Sequence, residues 1–174
     1  MHSSARNLPS HPFALLLSVL SFAVLTIPAR ARTVTVECGE GTVSKTLKSL
    51  DPQSSNTVRV VGTCQDSITI SDFADLTITG ISGGGRNSVL ESLNGAPVLW
   101  IVGSHVQIKN LTISGGVYGV MCREFSVCRF SGNTIQNATG NGVTLDSADA
   151  TFAGDVLENN ANSALNLTAS RVRG

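Results

Sequence analysis

The sequence predicts an all-β solenoid closed at its front by one short helix. Three observations carry that reading. The end of the chain repeats itself: Phe130-Ser-Gly-Asn-Thr-Ile-Gln-Asn and Phe152-Ala-Gly-Asp-Val-Leu-Glu-Asn begin 22 residues apart, and the same shift takes Asn137 to Asn159 and Ile135 to Leu157. A fixed period in this range is the mark of stacked units, none of which can bury its apolar face alone. Gly, Ser, Thr, Asn and Val are abundant while Lys and Glu are scarce, which suits short strands and tight turns. Only Thr42–Leu50 shows helical spacing beyond the N-terminal leader.

Residues 1–31 read as a signal peptide. Arg6 is a weak basic region, Phe13–Ile27 an apolar run, and Ala29-Arg30-Ala31 a small-x-small cleavage site after Pro28. The apolar run is short of the roughly 20 residues that span a bilayer, so cleavage and export are expected, with no stable membrane insertion afterwards. The expected location is secreted, periplasmic or extracellular, where thiols oxidise. Without the leader the chain holds ten basic and twelve acidic side chains, a net charge of −2. That balance excludes the electrostatic footprint of a nucleic-acid binder. One histidine, His105, remains in this part of the chain.

Residues 32–174 form the expected solenoid domain. Thr33-Val-Thr-Val-Glu-Cys alternates as a strand does. In Thr42–Leu50, Val43, Leu47 and Leu50 share one helical face opposite Lys45 and Lys48, and Asp51-Pro52 ends the run. Such a helix would cover the apolar end of the first coil. Val58–Val61, Ile68–Ile70 and Leu76–Ile78 are short strands. Ile81–Pro97, with its glycine run and a candidate extra strand at Val89-Leu90, interrupts the pattern. Aligning Ile78 with Ile113 gives a spacing of 35, thirteen above the repeat, which predicts a projecting loop.

From Val98 the alignment gives columns of like residues: Val98/Val120/Val143/Leu165, Trp100/Cys122/Leu145/Leu167, Val106/Cys128/Ala150/Val172, Ile108/Phe130/Phe152 and Ile113/Ile135/Leu157. Single-residue adjustments near Tyr118 and Phe125 keep the columns in phase. With about three strands per coil and inward residues stacked about 4.8 Å apart, each column is a continuous apolar rod. Burying one Ile or Phe contributes about 1.5–3 kcal/mol. Asn137 and Asn159 fall at matched turns, as an amide ladder along the axis or as ordinary left-handed turn residues.

Val106-Gln-Ile-Lys-Asn-Leu-Thr-Ile-Ser-Gly-Gly, Gly119-Val-Met-Cys, Asn133-Thr-Ile-Gln-Asn and Gly142-Val-Thr-Leu together resemble the right-handed parallel β-helix repeat proteins of the pectin/pectate-lyase-like superfamily. The resemblance runs from about Thr33 to the end and implies a right-handed parallel β-helix of about five coils. It implies little about activity, because that fold carries lyases, hydrolases, esterases, epimerases, adhesins and tailspikes. A polygalacturonase would carry clustered Asp residues in an Asn-Thr-Asp frame with Gly-His-Gly and Arg-Ile-Lys motifs, and none is present. A pectate lyase would carry acidic calcium ligands and an arginine base on one outward face.

Cys64 follows the Val58–Thr63 stretch and falls above Cys38 in the next coil, so a Cys38–Cys64 disulfide is expected. Cys122 and Cys128, in inward columns of one coil, are a second disulfide or two buried thiols. Neither pair has zinc-like spacing, and no metal or cofactor is expected. The outward positions between column residues are Gln107, Arg129, Thr151 and Arg173, with Lys109 nearby. The arginines and Lys109 suit an acidic sugar, since a guanidinium fork fits a carboxylate; the alternative is a set of solvated charges. Asp149 and Arg171, 22 apart, are candidates for a vertical ion pair. Tyr118 and Phe125 either stack on sugar rings or fold over the coil.

The chain stops at Arg173-Gly174 without a cap, so missing C-terminal coils are expected, with self-association through that end as the other outcome. The expected function is a secreted polysaccharide-binding or non-catalytic carbohydrate-processing scaffold, its partner an extracellular polysaccharide. An active polysaccharide lyase or glycoside hydrolase and a structural or adhesive surface module are the alternatives. Enzymatic activity stays open, because no catalytic constellation is recognisable.

Overall fold

A computed structural model describes residues 31–81 and 87–174. The expected leader, except Ala31, and residues 82–86 of the glycine run lie outside the described residues. The chain winds through three parallel sheets. The first has seven strands: β1 (Arg32–Glu37), β2 (Ser55–Val61), β5 (Asp75–Gly80), β8 (His105–Lys109), β11 (Val127–Ser131), β14 (Asp149–Ala153) and β17 (Arg171–Arg173). The second holds β3 (Thr63–Gln65), β6 (Val89–Ser92), β9 (Thr112–Gly115), β12 (Thr134–Gln136) and β15 (Val156–Glu158). The third holds β4 (Ile68–Ser71), β7 (Leu99–Val102), β10 (Tyr118–Arg123), β13 (Asn141–Asp146) and β16 (Leu165–Thr168). Five coils visit all three sheets, and an earlier turn visits only the first.

That earlier turn contains the helix α1 (Val43–Leu47). Thr42 caps it, its side chain accepting from the Lys45 N–H at 3.2 Å. Val43, Leu47 and Leu50 are buried and Lys45 and Lys48 exposed, so the helix covers the front of the core as its spacing predicts. It is shorter than Thr42–Leu50 because the chain tightens into a turn after Leu47. Next, Asp51 accepts from the Ser54 hydroxyl at 2.7 Å and the Gln53 N–H at 3.1 Å, bonds that hold its carboxyl below the ordinary carboxylate range.

The columns are real. Leu76, Val106, Cys128, Ala150 and Val172 are registered on successive strands, as are Ile78, Ile108, Phe130 and Phe152. The rings of Phe130 and Phe152 stack with centroids 4.7 Å apart and planes 9° from parallel. Cys64, Leu90, Ile113, Ile135 and Leu157 line the second sheet. Two expected columns are out by one residue. Val120 is paired with Leu99, and Cys122 with Ile101, so Trp100 points outward beside Met121 rather than into the core. The turn before β10 is shorter than its successors, and counting back from Val120 by a fixed period slips the register. A slip of one residue exchanges the two faces of a strand.

The interruption at Ile81–Pro97 also resolves differently. Val89-Leu90 belongs to an ordinary second-sheet strand, β6, between β3 and β9. The partner of Ile78 is Ile108, 30 residues on, and Ile113 belongs to another sheet. The coil is therefore eight residues longer than the 22-residue repeat, not thirteen.

The corners carry polar ladders. Asn133, 1 % exposed, accepts from the Leu111 N–H at 3.1 Å and donates to the Ile108 carbonyl at 2.8 Å and to Asp155 at 2.7 Å. Ser104, Ser126 and Ser170 repeat a second device: each hydroxyl accepts a backbone N–H of the coil before and donates to a nearby carbonyl of its own coil. These bonds satisfy backbone groups that the bends release from the sheets. Asn137 and Asn159 have the expected positive φ, 59° and 54°. Their amides do not form a ladder; Asn137 donates to the Ser114 hydroxyl at 3.4 Å instead.

Both disulfides are formed, Cys38–Cys64 and Cys122–Cys128. Cys64 is not directly above Cys38. The ladder neighbour there is Gly62, whose φ of +82° turns the chain into β3, and the bridge spans that corner. No helix among the described residues is long and apolar enough to cross a membrane.

Candidate functional site

Strand alternation sends every second residue of the first sheet outward, and parallel register lines these residues up in straight rows. One row is Thr33, Thr57, Thr77, Gln107, Arg129, Thr151 and Arg173. The next is Thr35, Arg59, Thr79, Lys109, Ser131 and Ala153. Neighbours within a row are about 4.8 Å apart, and the rows are separated by two residues of strand, about 6.6 Å.

Four of the five sequence-derived candidates meet on this face. Gln107 and Lys109 are two residues apart on β8, Arg129 is the next rung from Gln107, and Arg173 lies two rungs beyond Arg129. Tyr118 does not join them. It opens β10 on the third sheet, opposite the buried Asn141, and is half-buried. Arg59, which the sequence reading missed, lies two rungs before Lys109 in the same row. The 22-residue period does not reach Arg59, because the early coils have other lengths; the alternation in Val58-Arg59-Val60 is the signal that marks it as outward.

The electrostatics separate this face from its neighbour. On the third sheet, Arg123 is committed: Nε lies 3.3 Å from Glu124 and Nη2 3.7 Å from Asp146, and the guanidinium sits 5.4 Å above the Trp100 ring. Arg59, Lys109, Arg129 and Arg173 have no ion pair or side-chain hydrogen bond among the described residues. Asp75 accepts from Ser55 at 2.8 Å, and it shares a third outward row with His105 and Asp149. Asp149 and Arg171 are registered neighbours in that row, as their spacing predicts, yet no ion pair joins them.

Asp75 and Asp149 correct the expectation that no two carboxylates share the face. They are three rungs apart, about 14 Å at the parallel-strand spacing. That is farther than the roughly 5–10 Å across which an acid and a base share a glycosidic bond. Among the described residues, no group of three or more His, Cys, Asp or Glu side chains comes close enough to hold a metal ion.

Residues 53–173 match the family described as right handed beta helix region. The chain belongs to the right-handed β-helix family. The match begins just after the helical first turn and runs to the end of the last coil, so membership rests on all five complete coils of this β-helix protein. No curated protein and no solved structure matches the chain. The β-helix places the cationic rows on a flat, rigid surface whose side-chain spacing is set by backbone hydrogen bonds rather than by loops.

Proposed function

We propose that this β-helix protein is exported and binds an acidic polysaccharide along the outer face of its first sheet, without turning it over. The supporting observation is the run of uncommitted cations, Arg59, Lys109, Arg129 and Arg173, interleaved with Thr and Gln side chains at fixed spacing. A uronic-acid polymer presents carboxylates and hydroxyls at regular intervals, and guanidinium forks with neutral donors between them complement that surface. Two disulfides fit an oxidising compartment. The wide separation of Asp75 from Asp149 favours retention over cleavage.

An array of acidic and neutral polysaccharides tests the reading. Retention of the acidic ones, weakening as salt rises and without release of ultraviolet-absorbing unsaturated products, is the expected result. Arg129→Ala is expected to weaken binding by about two- to tenfold, since one exposed charge pair is lost, and to leave the melting curve unchanged. Equal retention of neutral and acidic polymers, or parallel loss of binding and stability in Arg129→Ala, would overturn it.

A further inference from the structure

The corner between the third and first sheets is irregular in one coil. Five positions separate Ile101 from Val106, Leu145 from Ala150 and Leu167 from Val172, but six separate Cys122 from Cys128. The extra residue produces two consecutive left-handed residues, Glu124 at φ 54° and Phe125 at φ 62°. Neither is glycine, and such backbone persists only where its surroundings impose it. They do so here. The Glu124 and Phe125 N–H groups donate to Asp146 and Ser147 carbonyls of the next coil at 3.2 and 2.7 Å, and the Cys122–Cys128 disulfide joins the two feet of the loop.

The product is a fixed aromatic side chain, 87 % exposed, that folds over nothing. It walls a groove of about 800 Å³ that crosses the corner. Ser147 and Ala169 form its floor, and Asp149 and Arg171 stand on the side nearest the first sheet. Those two charges are adjacent in register but unpaired, so their hydrogen-bonding capacity is free. Val127 and Arg171 lie two residues before Arg129 and Arg173 on their strands, so the groove opens onto the cationic face.

We propose that this groove is a subsite for one pyranose ring of the bound polysaccharide. An apolar wall facing an acid and a base matches a sugar ring, which has an apolar C–H face and a rim of hydroxyls. The C–H face stacks on Phe125, ring hydroxyls donate to the Asp149 carboxylate, and Arg171 donates to a hydroxyl or uronate oxygen. The inference rests on the reading of the first sheet as a polysaccharide-binding face.

Titration of the full chain with polygalacturonate, with dextran as a neutral control, separates the two claims. Phe125→Ala is expected to lower affinity for polygalacturonate about three- to tenfold, the scale of one aromatic stack, without changing the melting temperature. Phe125→Trp retains or improves affinity, and saturation transfer from the protein reaches C–H protons on one ring face in the wild type but not in Phe125→Ala. If Arg129→Ala weakens binding while Phe125→Ala does not, the groove is refuted and the face stands. If the wild type binds no acidic polymer, both fail. A change in sedimentation of ligand-free Phe125→Ala would assign the groove to a second copy of the chain and overturn the sugar subsite.

Discussion

The two halves of the solenoid reach the same cross-section by different routes. In the N-terminal half, successive first-sheet rungs are 24, 20 and 30 residues apart, from Val34 to Val58 to Ile78 to Ile108. In the C-terminal half, Ile108 to Phe130, Phe130 to Phe152 and Ala150 to Val172 are each 22 apart. Val58, Ile78, Ile108 and Ile135 are nevertheless all fully buried. Variation in coil length is absorbed at the corners, while the strands keep their register through backbone bonds. Regular spacing is therefore a convenience for the reader of the sequence, not the source of stability.

The strongest way to break that comparison is to cut equivalent core side chains in the two halves. Ile78→Ala and Ile135→Ala should each cost about 2–5 kcal/mol, because both remove a fully buried side chain from a column. Urea denaturation measures both. A negligible cost at Ile78 would mean that the irregular half is loosely packed.

The disulfides differ in the same way. Cys38–Cys64 joins the helical first turn to the next coil across 26 residues, whereas Cys122–Cys128 closes a loop of separation 6 inside a regular coil. Loop entropy alone then assigns about 3.5 kcal/mol to the first and about 2 kcal/mol to the second. Unfolding midpoints of the two double Cys→Ala variants sharpen the contrast; the reverse order would show that packing of the buried Cys122 and Cys128 outweighs loop closure.

The smallest contrast lies at two corners of one coil. Asn133→Ala should cost about 1–3 kcal/mol, since it strips partners from the Leu111 N–H and the Ile108 carbonyl. Asn137→Gly should shift stability by less than about 0.5 kcal/mol, because glycine accepts φ 59° and little else is lost. Thermal melts distinguish them, and equal losses would restore an amide ladder at Asn137.

The same contrast explains what was legible beforehand. Phe130 and Phe152 announce their column because two coils of equal length place an aromatic at the same phase. Trp100 was misplaced because one shortened turn moves every later residue to the opposite face. Val89-Leu90 looked like an insertion because apolar alternation over a few residues does not say which sheet a strand joins. Asn133 escaped notice as a structural polar group, since its spacing partner is Asp155 and only geometry reveals that the two bond. At the cationic face, alternation placed Gln107, Lys109, Arg129 and Arg173 together, but Arg59 needed the register of coils without a common period. Phe125 was visible as an adjustment, yet its exposure depends on hydrogen bonds from the neighbouring coil.

A single nuclear Overhauser measurement on protein with labelled phenylalanine rings tests the winding itself. Strong ring-to-ring contacts between Phe130 and Phe152, with Ile108 methyl contacts to Phe130 alone, are predicted by consecutive rungs and a centroid distance of 4.7 Å. Absence of any contact between the two rings, in a folded sample, would contradict the stacked-coil account.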